Sequence, residues 1–146
     1  MESMILKFKL DDGAFEPVRA HKTDAGIDLR SPVDITVRAK SSAVIDTGVH
    51  AEIVSSGDGV GAAGLILPRS GMNIKSDILS FGVIDEGYGG SIVVKLYNLG
   101  DEDYYVHRGD KITQLLIADV RYLEPVIVTD IQIGERGSNG FGSTGR

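Results

Sequence analysis

Apolar residues at every second position form the main pattern along this chain. The alternation is clearest in four segments: Met4-Leu6-Phe8-Leu10, Ile35-Val37, Val49-Ala51-Ile53 and Ile92-Val94-Leu96. Successive side chains of a β-strand point to opposite faces of a sheet, so a period of two is typical of strands that are buried on one face. We therefore expect these four segments to be half-buried strands.

Turn-forming residues separate these segments at short intervals. Combinations of Gly, Pro, Asp and Ser occur at residues 11–13, 31–32, 55–59, 99–101 and 108–110. Many short strands with frequent turns predict an all-β fold, which would be a jelly-roll-like β-barrel or sandwich. We expect at most one or two short helical turns, for example after Gly71.

The apolar run 112–122 fits two kinds of element. Five of its residues lie at helical spacing: Ile112, Leu115, Leu116, Ala118 and Val120. Ile117 and Tyr122 are apolar as well, and a strand buried on both faces explains them better than a helix does. Periodicity cannot decide a run this short, so the strand is favoured and the helix stays open.

The C-terminal segment, residues 134–146, has a different composition from the rest of the chain. It contains five glycines and a single large apolar residue, Phe141. Such a segment cannot bury enough apolar surface to become ordered by itself. We therefore expect a β domain over residues 1–133 and a flexible Gly-rich arm over residues 134–146. An isolated ring between glycines and hydroxyls suits a ligand contact, and a frayed terminus explains the segment equally well.

Composition and charge narrow the functional classes. A chain of 146 residues has room for one compact domain, and its net charge of −6 argues against a general nucleic-acid binder. The chain has no cysteine, which suits a reducing compartment. It shows neither the apolar run of a signal peptide nor the roughly 20 apolar residues of a membrane span. We expect a cytoplasmic protein that binds neither nucleic acid nor membranes.

Residues 67–71, Leu-Pro-Arg-Ser-Gly, are an apolar strand that continues into a turn. Arg69 offers a bidentate fork to phosphate oxygens, Ser70 adds a hydroxyl, and Gly71 lets backbone N–H groups come close to an anion. This set is typical of a phosphate site. Taken alone, however, it is better explained as an ordinary turn with an exposed arginine.

Residues 82–90, Gly-Val-Ile-Asp-Glu-Gly-Tyr-Gly-Gly, precede the alternating strand 91–98 and predict a hairpin. Asp85 could orient and deprotonate a water for attack on phosphorus, and Tyr88 could stack on a sugar ring or crowd it. The glycine-rich main chain could read the edge of a ligand. A hairpin whose acids only keep it soluble is the alternative, and it is favoured if the segment is considered alone.

Two polar residues interrupt apolar strands. Asp28 lies between Ile27 and Leu29, and Gln114 directly precedes an apolar run. An inward-facing Asp28 would need a partner or a hydrated cation, whereas an outward-facing one would need neither. Alternation leaves both orientations open. The same question applies to Gln114, because a buried amide requires hydrogen bonds.

Five segments carry these candidate residues in order: AGIDL (25–29), PRSGM (68–72), GVIDEGYGG (82–90), GDKITQL (109–115) and RGSNGFGSTG (136–145). Each is weak alone, but together and at this spacing they resemble the five signature motifs of the trimeric dUTP pyrophosphatases. The resemblance spans residues 25–145. It implies a jelly-roll-like subunit in a homotrimer with three active sites, each assembled from all three chains. The implied reaction is hydrolysis of dUTP to dUMP and pyrophosphate by Mg²⁺-assisted in-line attack of a water on the α-phosphorus, which keeps uracil out of DNA and supplies dUMP.

The resemblance also implies roles for the residues of the hairpin. Asp85 would be the catalytic residue, which touches the 3′-hydroxyl and holds the attacking water. Tyr88 would pack under the deoxyribose and exclude a 2′-hydroxyl. Main-chain groups at four positions would bind the uracil edge: Gly82, Val83, Ile84 and Val93.

The phosphates and the metal would be held by residues of the other motifs. Mg²⁺ would bridge phosphate oxygens, and Asp28 would reach the ion through its bound waters. The arm would close over a neighbouring subunit's site, where Phe141 would stack on uracil. The phosphates would be bound by Arg69, Ser70, Gly71 and Gln114. The arm would add Arg136, Gly142, Ser143 and Thr144. Of these, Arg136, Ser143 and Thr144 would bind the terminal phosphates.

Two departures and two alternatives bear on this interpretation. Many family members carry an acid and a basic or amide residue where this chain has Gly87 and Gly89, so we expect a more mobile hairpin.

The related dCTP deaminases share the fold but carry a catalytic Glu where this chain has Lys95, which cannot supply a carboxylate. That difference and the tail with Phe141 favour hydrolysis over deamination. A regulator that acts by contacting a partner is the other alternative, and Asp85→Asn would distinguish it because only hydrolysis should be lost.

Overall fold

The computed structural model describes residues 5–54, 58–142 and 144–145. Met4, the first three residues of the expected 55–59 turn and Ser143 lie outside the described residues. Within the described residues the chain forms these elements: β1 (Ile5–Leu10), β2 (Ile27–Arg30), β3 (Ile35–Val37), β4 (Ser42–Val54), β5 (Gly61–Leu67), α1 (Ser70–Ser76), β6 (Ile78–Leu79), β7 (Gly82–Ile84), β8 (Ser91–Asn98), β9 (Tyr104–Val106) and β10 (Lys111–Val120). The predicted all-β fold is confirmed.

Two four-stranded antiparallel sheets face each other. The first sheet has the order β1-β4-β8-β6 and the second the order β2-β10-β5-β7, while β3 and β9 form a small third pair. One buried cluster contains residues of both large sheets, including Val94 of β8 and Leu115 of β10. In the described part of the chain no sheet closes on itself. The jelly-roll-like subunit is therefore a sandwich, and of the two expected forms the closed barrel does not occur.

The alternating segments lie in strands, as their period predicts. In β8, Ile92, Val94 and Leu96 are buried while the intervening Val93 is exposed. The edge strand β1 is less well covered, because only Leu6 and Phe8 pack against the core. The sequence pattern thus predicts which face of a strand is apolar, whereas position in the sheet determines how fully that face is buried.

Residues 112–120 of the ambiguous run lie in strand β10, which confirms that this part of the run is a strand and not a helix. It lies between β2 and β5 and pairs with both. Leu115 is fully buried, while Leu116 and Ile117 are half-buried, so the second face is only partly covered. Tyr122 lies beyond the strand and contacts Gly61 of β5, where an added Cβ would overlap the ring.

Helix α1 is as short as expected and begins at Ser70, so it includes Gly71, after which the helical turns were predicted. Its only buried residue is Met72, and it ends where Asp77 adopts a left-handed conformation with φ of 54°. Arg69, at the N-cap position, has an extended backbone. The chain therefore passes from β5 through an extended Arg69 directly into α1.

The C-terminal part of the described chain is exposed. The last strand ends at Val120, and the described residues from 121 onward form no strand or helix. The division into a domain over residues 1–133 and an arm over residues 134–146 stays a prediction. No helix among the described residues is long and apolar enough to cross a membrane.

Candidate functional site

Three neighbouring strands of the second sheet bring together polar residues that are distant in sequence. Asp28 on β2 pairs with Gln114 on β10, and Gln114 pairs with Leu67 at the end of β5. The chain turns there into Arg69 and α1. These elements form a cleft of about 530 Å³, named the Arg69 cleft below, which is lined by Ala20, His21, Asp24, Ala25, Gly26, Asp28, Arg69, Ser70, Gly71, Lys111 and Gln114.

The Arg69 cleft defines the orientation of Asp28, which alternation left open. Its side chain is only 14% exposed, with Oδ1 3.3 Å from Arg69 Nε and Oδ2 3.0 Å from Lys111 Nζ. The carboxylate therefore faces a pair of cations. Arg69 makes no other side-chain hydrogen bond among the described residues, so its two Nη groups can bind an anion.

Gln114 is also held in place within the Arg69 cleft. Its Nε2 donates to the Pro68 carbonyl at 2.9 Å. Its Oε1 lies so close to Gly26 that a Cβ added there would overlap it. Glycine at position 26 is therefore required by the close approach of the amide, which the AGIDL motif alone did not reveal.

A buried hydrogen-bond network supports the floor of the Arg69 cleft. Thr113 is fully buried, and its hydroxyl donates to the Leu67 carbonyl at 2.8 Å. The same hydroxyl lies 2.8 Å from Ser80 Oγ. These bonds tie β10 to the end of β5, beside the paired residues Gln114 and Leu67. A network whose members are all satisfied makes the cleft rigid.

His21 and Asp24 form one rim of the Arg69 cleft. His21 Nδ1 lies 2.9 Å from Asp24 Oδ2, and the backbone N–H of His21 donates to the same oxygen at 3.0 Å. The hydrogen bond from the His21 side chain lowers the pKa of Asp24 from its ordinary value. The sequence-based prediction missed both residues and Lys111, although Lys111 lies within the GDKITQL motif.

The segment 82–90, named the Asp85 loop below, differs from the expected hairpin. Strand β7 pairs with β5 in the second sheet, whereas β8 pairs with β4 and β6 in the first. The two strands do not pair with each other, and the loop carries the chain from one sheet to the other. The prediction of a paired hairpin was wrong because β7 finds its partner in β5, which the local sequence could not show.

Contacts within the Asp85 loop define its turn. The Tyr88 N–H donates to the Asp85 carbonyl at 3.0 Å, and the Tyr88 hydroxyl donates to the Ser91 carbonyl at 3.0 Å. Gly87 has φ of 86°, so the glycine at this departure from the family pattern provides a conformation that other residues adopt only with strain. Glu86 Oε1 accepts the Ala62 N–H at 3.2 Å and anchors the loop to β5.

A second cleft, of about 310 Å³, lies at the Asp85 loop. It is lined by Val83, Ile84, Asp85, Tyr88, Ser91 and Val93. Three apolar members are well exposed, with Val83 at 64%, Tyr88 at 45% and Val93 at 50%. The structure thus brings the predicted Asp85, Tyr88 and Val93 together on an apolar surface that a flat ring could cover. Gly82 begins β7 opposite Ile66 and does not line this cleft.

Ser91 at the end of the loop was not predicted from the sequence. Its hydroxyl donates to Asp46 Oδ1. This bond and the Gly48 N–H lower the pKa of Asp46 from its ordinary value. Asp46 and Ser91 are 45 residues apart in sequence, so only the pairing of β4 with β8 could reveal the contact.

The two clefts are separated within one chain. Ile84 pairs with Gly64, three residues before Leu67 on β5, and β2 lies three strands away from β7. With about 3.3 Å per residue and about 4.8 Å between strands, Asp28 and Asp85 are roughly 20 Å apart. One chain therefore does not place the cations of the Arg69 cleft beside Asp85.

The described residues of the predicted arm site, Arg136, Phe141, Gly142 and Thr144, line neither cleft. Arg136 donates to the carbonyls of Asn139 at 2.9 Å and Gly140 at 2.7 Å, both within the arm. Phe141 is fully exposed, and Gly142 and Thr144 are exposed as well. In a single chain these residues thus stand apart from the rest of the predicted site.

Comparison with known proteins gives a consistent result. A family model for dUTPase matches residues 14–145. A deoxyuridine 5′-triphosphate nucleotidohydrolase of Clostridium acetobutylicum is 39% identical, over 94% of this chain and 93% of that protein. The Staphylococcus bacteriophage 80alpha dUTPase with dUPNHPP has a TM-score of 0.87 at 29% identity, over 97% of this chain and 99% of that one. A mutant dUTPase of S. aureus phage phi11, described as coordinating a structural Mg(II) ion, has a TM-score of 0.77 at 26% identity, over 88% of this chain and 99% of that one.

Proposed function

We propose how this chain, which belongs to the dUTPase family and is a dUTP diphosphatase, carries out its reaction. A water held by Asp85 attacks the α-phosphorus of dUTP in line with the leaving pyrophosphate, which gives dUMP and pyrophosphate. The observation that carries this proposal is the grouping of the exposed Asp85 with Tyr88 and Val93 in one cleft. A carboxylate beside an apolar surface for a base and a sugar can position both the nucleophile and the nucleoside.

The nucleoside end of the substrate lies on the Asp85 loop. Main-chain groups of Gly82, Val83 and Ile84, with the facing strand at Val93, bind the uracil edge. Strand β7 supports this role because it is an edge strand, so its outward backbone groups are not used by a further strand of the second sheet. Tyr88 packs under the deoxyribose, where its hydroxyl bond to Ser91 holds the ring against a 2′-hydroxyl.

The triphosphate is held by the Arg69 cleft. The Nη groups of Arg69, the Ser70 hydroxyl, the Gly71 backbone and the Gln114 amide supply donors, and Lys111 adds a second cation. Because Asp28 already pairs with both cations, the cleft is not strongly positive before the anion arrives. Phosphoryl transfer depends mainly on positioning and charge neutralisation, which these residues provide.

The Arg69 cleft also fits Mg²⁺ that is shared with the substrate. No group of three or more His, Cys, Asp or Glu side chains within the described residues could hold a metal ion by itself. Mg²⁺ commonly keeps several waters and binds through one or two carboxylates together with phosphate oxygens. Asp28, which is half-buried in the cleft, would reach the ion through water. Mg²⁺ held there would neutralise phosphate charge and would favour attack on phosphorus.

Sharing of the active site between chains follows from the separation of the two clefts. A triphosphate cannot bridge roughly 20 Å between the Arg69 cleft and the Asp85 loop of the same chain. In a homotrimer, the cleft of one chain lies beside the loop of the next. The exposed apolar residues of segment 121–133 support association, since a monomer would leave them in water: Leu123, Val126, Ile127, Val128, Ile131 and Ile133.

The arm completes the site of a neighbouring subunit. Phe141 stacks on uracil, while Arg136, Gly142, Ser143 and Thr144 contact the phosphates. The full exposure of Phe141 in the single chain supports this role, because an aromatic ring gains most from a partner when it is not already packed. Stacking on an aromatic ring contributes about 1–3 kcal/mol per base, so closure also needs the phosphate contacts to offset the ordering of the arm.

The test is turnover of a panel of nucleotides with Mg²⁺. We expect dUTP to give dUMP and pyrophosphate, while dCTP, dTTP and UTP are poor substrates. Equal turnover of UTP would contradict the role of Tyr88, and conversion of dCTP to dUTP would indicate deamination. A measurement of size in solution completes the test, because a monomer with full activity would disprove shared sites.

Deamination and regulation are the competing functions. Lys95 lies on the exposed face of β8, two residues after Val93, with its Nζ 5.1 Å from the centre of the Tyr97 ring. A cation there cannot act as the carboxylate of a deaminase. Regulation has one observation in its favour, since phage dUTPases such as the similar 80alpha protein are described as controlling transfer of virulence genes. Loss of hydrolysis in Asp85→Asn without loss of partner binding would separate the two roles.

The proposed cellular role is removal of dUTP, which keeps uracil out of DNA and supplies dUMP. The cytoplasmic location stays a prediction from the sequence.

A further inference from the structure

His50 connects the Asp85 loop to a second, distant loop. It lies on β4, and its Nδ1 is 2.8 Å from the Gly89 carbonyl oxygen. Its Nε2 is 3.0 Å and 3.1 Å from the two carboxylate oxygens of Asp11. Glu86 anchors the first half of the Asp85 loop to β5, so His50 is the corresponding anchor of the second half.

The chemistry of these partners defines the protonation state of the ring. A carbonyl and a carboxylate can only accept hydrogen bonds, so both ring nitrogens of His50 must donate to satisfy both contacts. Only the imidazolium carries two N–H groups. A neutral ring keeps one bond and turns a lone pair toward the other acceptor. The full bridge from Asp11 to Gly89 therefore exists only when His50 is protonated.

The backbone places His50 and Asp11 in this arrangement. The pairing of β4 with β8 is irregular between Asp46 and His50, where Gly48 has φ of 69°. After this bulge, His50 lies opposite Ser91, at the end of the Asp85 loop. The Asp11 N–H donates to the Gly48 carbonyl at 2.8 Å. A bulge that redirects a side chain beside a functional loop is a typical use of this irregularity.

We propose that His50 is a positioning residue for the reaction: the protonated ring ties Gly89 to Asp11 and thereby holds Tyr88 and Asp85 in the arrangement that the substrate requires. This inference rests on the proposed role of the Asp85 loop. Gly89 is bonded directly to Tyr88, whose hydroxyl is held by the Ser91 carbonyl. Tyr88 is thus held at two points: its backbone through the contact of His50 with Gly89, and its hydroxyl through the Ser91 carbonyl.

The surrounding charges favour the protonated form. The hydrogen bonds to the Gly89 carbonyl and to Asp11 raise the pKa of His50 from its ordinary 6.5, while Lys9 acts against them. The charged groups near the ring, besides Asp11, come from β1 and β4: Lys7, Lys9, Asp46 and Glu52. A raised pKa means that the bridge is complete below pH 6.5 and is lost as pH rises through the higher value of the folded protein.

The kinetic test compares the pH dependence of kcat/KM for dUTP among variants. We expect His50→Ala to lower kcat/KM about twofold to tenfold at pH 6, which corresponds to the loss of a hydrogen bond. The deficit should shrink toward pH 9, because the wild-type protein also loses part of the bridge there. His50→Gln keeps one N–H donor and should recover part of the activity without this pH dependence.

His107→Gln is the matched control. His107 is also on the surface, 3.6 Å from Asp110, and it is remote in sequence from the Asp85 loop. The ratio of kcat/KM in His107→Gln to kcat/KM in wild type should stay near one at every pH. A His50→Ala deficit that does not change with pH, or no deficit at all, would overturn the proposal, since a packing role does not titrate.

A second measurement does not depend on turnover. Titration of the histidine ring signals by NMR should give a pKa above 6.5 for His50, and Asp11→Asn should lower it. Amide exchange at Tyr88, Gly89 and Gly90 should be faster in His50→Ala than in wild type. If wild type fails to hydrolyse dUTP, the proposed function fails while these data still test the bridge. An unchanged His50 titration in Asp11→Asn, or unchanged loop exchange in His50→Ala, would refute it.

Discussion

The Arg69 cleft and the Asp85 loop supply the two halves of the proposed chemistry and are built differently. The cleft is formed where three adjacent strands meet, over a fully buried Thr113, and its central carboxylate is paired with two cations. The loop connects two sheets: its first residues, 82–84, pair with β5, and beyond them it is anchored by the hydrogen bonds of Glu86 and His50. The cleft is therefore preorganised by the sheet, whereas residues 85–90 of the loop depend on individual side chains.

This difference suits what each region is proposed to bind. A triphosphate has several charges and needs fixed donors, because reorganising charged groups during the reaction would cost free energy. In the proposed site the nucleoside enters over the exposed Val83 and Val93 and must leave again as dUMP, so a surface with few anchors is sufficient. Regions with few buried contacts open at the lowest free energy cost. We therefore expect substitutions in the loop to change turnover and substitutions in the cleft to change anion binding and stability.

The largest expected effect separates the two regions completely. Asp85→Asn should lower kcat about 10²-fold to 10⁴-fold, the usual contribution of a general base, while pyrophosphate binding to the Arg69 cleft stays within about threefold. Folding should not change, because Asp85 is exposed and its carbonyl contact with Tyr88 is kept. Steady-state kinetics and calorimetry check this. Asp101→Asn, at a side chain that is 92% exposed, is the control. Retention of more than about a tenth of the activity would remove Asp85 from its role.

The second-largest effect is expected from a substitution that changes the Arg69 cleft and does not change the Asp85 loop. In Gly26→Ala the new methyl group overlaps Oε1 of Gln114, so the amide must move away from Pro68. Overpacking of this kind costs about 1–3 kcal/mol of stability. We expect a lower Tm and weaker pyrophosphate binding. Gly134→Ala is the control, because a Cβ there meets no atom within 4 Å. Wild-type stability and affinity in Gly26→Ala would show that the cleft is less rigid than its hydrogen bonds indicate.

The smallest effect sharpens the description of the loop. Glu86→Ala removes the acceptor of the Ala62 N–H and should lower kcat/KM about twofold to tenfold, with pyrophosphate binding unchanged. Glu86→Gln keeps a carbonyl oxygen at the same position and should recover most of the loss. Kinetics of the two variants at one pH provide the comparison. If Gln is as harmful as Ala, the charge of Glu86 matters and the hydrogen bond does not.

Much of the fold was predictable because it depends on local pattern. The alternation at Ile92, Val94 and Leu96 and a short helix near Gly71 were expected from the sequence and confirmed. The pairing of β7 with β5 was not, because a strand can pair with any segment that the chain brings beside it. The predicted hairpin failed for this reason alone.

The residues of the candidate site were also predicted unequally. Residues inside the motifs, such as Arg69 and Gln114, could be named from their chemistry. Asp28 could be named but not oriented, since Ile27 and Leu29 fit either face. His50 lies 39 residues from Gly89, and no motif connects them. Contacts of this kind arise from strand register, which depends on the whole sheet.

By itself the sequence determined the chemistry available to this protein: the strand-forming pattern, the residues around Arg69 that are proposed to bind phosphate, and the carboxylate of Asp85 in a glycine-rich segment. The tertiary structure decided how these groups are used. It oriented Asp28 toward two cations, placed the Asp85 loop as the connection between the two sheets, and brought Gly89 into contact with His50. The physical reason is that side-chain type and local period are properties of neighbouring residues. Partners across strands depend on register and on packing of the two sheets, which only the folded chain defines.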